Sequence, residues 1–127
     1  MIKLVYCIRK RSDITPEAFY DYWLHTHGPK VRDVAKAIGA TRYVQSHTIL
    51  PELNQTFKDG RGLAPPYDGI TEVWFETLEV MQAASGTEDG LAASRLLVDD
   101  ESTFIDFSQS RVFMTEEFDV FDFRAKA

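Results

Sequence analysis

Three histidines, His25, His27 and His47, carry most of the ionisable chemistry that this 127-residue chain offers near neutral pH. An imidazole titrates close enough to neutrality to take or give a proton in water, so a histidine beside an apolar surface suits a general base or acid. The first two lie in YDYWLHTHGPKV, residues 20–31, behind an aromatic cluster. On a helix that begins at Pro16, at about 100° per residue, His27 falls at the edge of the stripe made by Phe19, Tyr22, Trp23 and Thr26. His25 falls on the opposite, solvent side, beside Asp21. At the border of an apolar stripe an imidazole is partly desolvated yet can still present one ring nitrogen to a cavity. The same place at a helix end also suits a structural cap, because cations are favoured at helix C-termini. Spacing alone leaves both roles open for His27. His47 ends RYVQSH, residues 42–47, where alternation puts it on one strand face with Tyr43 and Gln45. That face either lines a cavity or points outward, and strand register decides between them.

The residues around these histidines suggest what a ligand would meet. Tyr43, Tyr67 and Gln45 offer neutral hydrogen bonds to a carbonyl or phenol, and Tyr22, Trp23, Trp74 and Phe75 offer an apolar wall for a ring. Trp23 and Phe75 serve equally well as plain core, Tyr67 as a loop anchor, and Asp68-Gly69 as turn chemistry. A metal site is not expected. His25 and His27 on a helix direct their rings about 200° apart, no acidic pair lies at a suitable offset, and a lone cysteine cannot form a cysteine cluster or an intrachain disulfide. Cys7, inside LVYCIR, reads as a small buried apolar residue.

The elements that must position these groups are legible in the pattern. IKLVYCIR, residues 2–9, reads as a strand covered on both faces. Thr15 and Pro16 supply a cap and a first helical residue, with Glu17 favourable in the first turn. Gly28-Pro29 is expected to break this helix, and a second short helix follows with Val31, Val34, Ala35 and Ile38 inward and Gly39 as its stop. Residues 41–50 make a second strand. Residues 51–69, rich in Pro, Gly, Asn and Asp, read as a long loop and a candidate lid. ITEVWFE, residues 70–76, makes a third strand, and Thr77 caps a helix with Leu78, Met81 and Ala84 inward. Another helical stretch runs from Asp89 to about Val98, and residues 110–123 hold a fourth strand and an aromatic, acidic tail.

The order β-α-β-β-α-β points to an α+β, ferredoxin-like domain over residues 1–127, a four-stranded antiparallel sheet with helices on one face. Apolar residues on both strand faces imply a cover for the open face, and a second copy of the chain is the economical one, giving a dimeric α+β barrel. A hydrophobic content of 44% supports a continuous core, whereas a formal charge of −6 argues against nucleic acid. No stretch approaches the ~20 apolar residues of a membrane span, and MIKLVYCIRK is too soon charged for a signal peptide. A cytoplasmic location is therefore expected.

Phe19-x-x-Tyr22-Trp23-x-x-x-His27-x-Pro29, then RYVQSH at 42–47 and YDGITEVWFE at 67–76, resembles the EthD-like group of the dimeric α+β barrel superfamily. The resemblance spans nearly the whole chain in order. It implies a homodimer with a pocket for a small hydrophobic or aromatic ligand, no metal or organic cofactor, and pocket roles for His27 and His47. Relatives of that group include decarboxylases, dehydratases and muconolactone isomerases. The expected activity is accordingly a lyase or isomerase acting through proton abstraction next to a carbonyl, on an aromatic, lactone or polyketide-like compound. The alternatives are a monooxygenase, or a carrier of a hydrophobic intermediate for an oxidase.

Overall fold

The computed structural model describes residues 1–124. Strands β1 (Ile2–Ile8), β2 (Arg42–His47), β3 (Gly69–Phe75) and β4 (Arg111–Glu116) form one antiparallel sheet in the order β2-β3-β1-β4. Two central strands next to one another but far apart in sequence, flanked by β2 and β4, is the ferredoxin-like arrangement. In register, Leu4 faces Val73 on one side and Met114 on the other, while Tyr43 faces Val73. Period-2 alternation then puts Leu4, Tyr6, Ile8, Tyr43, Gln45, His47, Thr71, Val73 and Phe75 on one face. Val5, Cys7, Ile70, Trp74 and Phe113 take the other.

The helices pack on the Leu4 face. Helix α1 (Pro16–Tyr22) begins as its sequence predicts, with Thr15 Oγ1 accepting from the Ala18 amide at 3.1 Å. Phe19 and Trp23 are wholly buried and meet Ile8, Phe104 and Ile105 in the core, with the Phe19 ring 5.5 Å from Trp23 and 5.9 Å from Phe104. Truncating either ring to Ala would cost about 3–5 kcal/mol.

The expected break at Gly28-Pro29 does not occur. Trp23–His27 forms a π-helical turn that runs directly into α2 (Gly28–Ile38), closed by the Gly28 amide donating to the Trp23 carbonyl. Pro29 has no amide proton, and its ring would crowd the carbonyl four residues back; widening the turn absorbs both defects without ending the helix. The wider turn takes a smaller angular step per residue. His27 therefore swings from the stripe's edge into the buried side, whereas Thr26, expected inward, is exposed. Gly39, at φ 76°, ends α2 as anticipated.

The long loop expected at 51–69 is also corrected, since Pro51–Arg61 is a helix, α3. Its signals were ordinary ones: Pro51 in the first turn with Glu52, Lys58 and Arg61 in the last turn, and Gly62 at φ 65°. Its apolar stripe is thin, with Leu53 and Phe57 about half exposed, and this hides it from periodicity. Helices α4 (Leu78–Ser85) and α5 (Glu88–Glu101) follow β3, capped by Thr77 and Thr87. Leu78, expected inward, is exposed. Helix α5 runs three residues past Val98, which matters below.

Candidate active site

Between the sheet and the helices lies a cavity of about 380 Å³, within the size range of small-molecule sites. Its wall is mostly apolar, built by residues such as Leu4, Val31, Val73, Phe75 and Leu97. Among the lining residues that carry polar groups are Tyr6, His27, Tyr43, Thr71 and Glu101.

His27 is held there by Asp100 at the end of α5. Its Nδ1 lies 2.7 Å from Asp100 Oδ2, and both side chains are buried. Tyr22 Oη also donates to Asp100 Oδ1, and Lys30 Nζ donates to the same oxygen at 2.8 Å. One carboxylate thus collects a donor from α1, one from the π-helical turn and one from α2, and satisfies both of its oxygens. Burial works against the charged form of Asp100, but the bonds from Lys30, Tyr22 and His27 outweigh it and hold the carboxyl below its usual range. Burial pushes the His27 imidazole below its usual value, and the Asp100 bond and charge offset only part of that. The ring is accordingly neutral at pH 7. A neutral ring that donates from Nδ1 to a carboxylate carries its lone pair on Nε2, the nitrogen left for the cavity. A base whose protonated form would be met by a buried carboxylate is set up to accept a proton.

His47 does not join it. The ring stacks on Trp23 with centroids 4.5 Å apart and on Tyr20 at 5.1 Å, so Trp23, which lines the cavity, has His47 behind it. His47 Nε2 lies 2.8 Å from Gln45 Oε1, and Gln45 Nε2 donates to Tyr43 Oη at 2.8 Å and to the Trp23 carbonyl at 2.8 Å. The amide protons of Gln45 are both spent, so its oxygen accepts and His47 donates from Nε2. Because Tyr43 Oη accepts from Gln45, the phenol proton remains to be given away. Burial raises the Tyr43 pKa, keeping that proton in place at neutral pH. Gln45 is therefore a buttress: it ties Tyr43 to the carbonyl of the π-helical turn that carries His27.

The remaining expected ligand contacts lie elsewhere. Tyr22 reaches Asp100 and not the cavity. Trp74 lies on the opposite sheet face, where Arg42 and Lys3 cover its ring at 4.5 and 5.3 Å and Nε1 donates to Glu117 Oε1 at 2.7 Å. Its neighbour Phe75 takes the cavity side instead. Tyr67 anchors a loop, with the Arg9 guanidinium 4.9 Å above its ring and its carbonyl accepting from Thr48 Oγ1 at 2.7 Å. His25 is exposed. Among the described residues no group of three or more His, Cys, Asp or Glu side chains is disposed to hold a metal ion.

Asp100, Glu101, Tyr6 and Thr71 escaped the sequence reading. The signal for the acids was the run DDE at 99–101, hidden because the helix was expected to end near Val98.

The model of the EthD domain matches residues 11–108. The chain belongs to the EthD family. Among solved structures, this EthD protein is similar to an ethyl tert-butyl ether D (EthD) family protein from Bacillus halodurans C-125, with a TM-score of 0.61 and 20% identity over 93% of this chain and 99% of that one. It is also similar to a dimeric protein of unknown function and ferredoxin-like fold from Bacteroides fragilis NCTC 9343, with a TM-score of 0.56 and 9% identity, covering 91% of this chain and 95% of that one. SnoaB from Streptomyces nogalater, a cofactor-independent oxygenase, shares 8% identity at a TM-score of 0.53, covering 94% of each chain. At these identities the likeness is one of fold. No curated protein matches the sequence at a significant level. Among the described residues no helix is long and apolar enough to cross a membrane.

Proposed function

We propose that this EthD protein is a cytoplasmic, cofactor-free enzyme of lyase or isomerase type that moves a proton next to a carbonyl on an aromatic, lactone or polyketide-like compound. The observation that carries the reading is the buried His27–Asp100 pair, 2.7 Å apart, with His27 on the wall of a mostly apolar cavity. His27 Nε2 takes the proton, the C–H electron pair moves into the enolate, and Asp100 stabilises the imidazolium so formed. Tyr43, oriented through Gln45 and His47, donates toward the developing negative charge. Trp23 supplies the flat wall. Tyr22 serves the site through Asp100.

The test is exchange of ligand α-protons for solvent deuterium, followed by NMR with a panel of enolisable phenols, lactones and cyclic ketones. Replacing His27 by Ala should slow exchange by roughly 10²- to 10⁴-fold. Equal rates for the two proteins with every accelerated compound would remove His27 from the mechanism.

A second reading begins with the same deprotonation. A carbanion formed at His27 can pass an electron to dioxygen, and the fold likeness to SnoaB, a cofactor-independent oxygenase, favours including it. Oxygen uptake coupled to substrate loss would select this reading. Ligand binding without turnover, at an affinity indifferent to His27→Ala, would select a carrier.

We further propose a homodimer. The uncovered sheet face presents Ile70 and Phe113, 37% and 49% exposed, and the segment beyond β4 presents Phe118, Val120, Phe121 and Phe123. A second copy laid face to face would cover them. Light scattering that gives a monomer at micromolar concentration would overturn it.

A further inference from the structure

The cavity holds a second ionisable group that the His27 mechanism leaves unused. Glu101 ends α5, one residue after Asp100, and its carboxyl lines the cavity while Asp100 turns to His27. The groups facing it are Tyr6 from β1, Asp100 from its own helix and, across the cavity, Tyr43 from β2 and His27 from the π-helical turn. No cation is among them. A carboxyl at a helix C-terminus, beside an ionised carboxylate and inside an apolar wall, is disfavoured in its charged form by all three surroundings.

We propose that Glu101 is the second proton-transfer group of this site, a neutral carboxylic acid that protonates the carbonyl oxygen of the substrate while His27 removes the neighbouring carbon-bound proton. The inference rests on the proton-transfer reading given above and adds its substrate class: an enolisable ketone or lactone spanning the cavity between the imidazole and the carboxyl. The step balances. The C–H pair becomes the enol C=C bond, the carbonyl π pair takes the Glu101 proton, and the products are the enol, an imidazolium and a Glu101 carboxylate. Where a second C=C bond is conjugated with the enol, return of the imidazolium proton to the far carbon of that dienol, with Glu101 recovering its own from the enol oxygen, completes an isomerisation with both groups reset. Burial and the adjacent Asp100 charge push the Glu101 carboxyl up to about 7, with the Tyr6 phenol opposing, so the acid form is well populated at neutral pH.

The experiment combines carboxyl titration by ¹³C NMR of glutamate-labelled protein with α-proton exchange of β-tetralone in deuterated buffer. Expected are one glutamate resonance titrating near 7, absent from Glu101→Gln, and a bell-shaped rate profile in the native protein. Glu101→Gln should lose the alkaline fall of that profile and slow exchange by about 10²-fold or more, within the range of a positioned acid. Tyr6→Phe should move the alkaline limb to higher pH, a shift that a packing role would not produce. If Glu101→Gln keeps both the rate and the alkaline limb while His27→Ala loses the rate, this inference falls and the His27 mechanism stands. If the native protein exchanges β-tetralone no faster than His27→Ala, both fall. If no glutamate titrates above pH 6, the neutral acid is gone and the inference with it.

Discussion

His27 and Asp100, seventy-three residues apart in the chain, meet at 2.7 Å because a π-helical turn rotates one inward and the last turn of α5 presents the other. Asp100→Asn keeps the shape but removes the charge that favours the imidazolium. Turnover should fall, by at most the 10²- to 10⁴-fold that the base itself supplies. The double variant with His27→Ala should be no slower than His27→Ala alone, since the two act as a unit. Multiplied losses in steady-state kinetics would show instead that Asp100 acts independently.

The titrating groups of the site pull stability in different directions. His27 has a folded pKa below its ordinary 6.5, so the unfolded chain binds more protons and stability declines as pH falls through that window. Glu101 is raised from 4.5 to about 7, so the folded state holds its proton more tightly, and stability is lost as pH rises between those values. At 1.36 kcal/mol per unit the Glu101 contribution is of order 3 kcal/mol. Asp100, lowered, contributes stability above its unfolded value of 3.8 that is lost at more acid pH. Urea unfolding at intervals from pH 4 to 8 should therefore show a decline toward the alkaline end that Glu101→Gln flattens. An unchanged slope in that variant would place the effect elsewhere.

Gly69 marks where Trp23 presses on the sheet. A Cβ there would sit 2.5 and 2.6 Å from two Trp23 ring carbons and 2.7 Å from the Ser46 carbonyl oxygen, which neither rigid group can give way to. Gly69→Ala should destabilise by about 1–3 kcal/mol, the usual cost of overpacking, and shift the Trp23 fluorescence. Gly60, inside α3, has no atom beyond its own stretch of helix within 4 Å of the corresponding point, so Gly60→Ala should stabilise by up to about 1 kcal/mol. Chemical denaturation of the two variants gives both signs in one comparison.

Gln45→Leu should expose how the π-helical turn is maintained. The change removes a donor from the Trp23 carbonyl and from Tyr43 Oη, and an acceptor from His47. A loss of about 1–3 kcal/mol is expected for the groups left unpaired. Faster hydrogen exchange at the Gly28 amide, which closes the turn, would accompany it.

Much of this architecture was legible because it rests on local rules. Thr15-Pro16, Thr77 and Gly39 mark helix ends by capping chemistry, and the strands announce themselves by alternation. What escaped depends on geometry that no window of sequence contains. A Gly-Pro pair normally ends a helix, whereas here a wider turn carries the helix through, with Gln45 bonded to the Trp23 carbonyl. His47 and Tyr43 do share a face, as alternation indicated, but the indole of Trp23 fills the space between His47 and the cavity. Trp74 and Phe75 differ by one register step, enough to exchange wall for outer surface. The acids at the end of α5 were hidden for a simpler reason: a polar run reads as solvated until something packs against it.

Asp100 and Glu101 are consecutive, and the helix turns about 100° between them. One faces the imidazole and is kept ionised, while the other faces the cavity, where burial pushes its carboxyl up to about 7. Deleting a single residue in α5 ahead of them would rotate Glu101 toward the place of Asp100, and inserting one would rotate Asp100 toward that of Glu101, with both acids still present. The spacing from the Thr87 cap to these acids is therefore a ruler, and a chain that altered its length by one would keep its fold while losing the assignment of its protons.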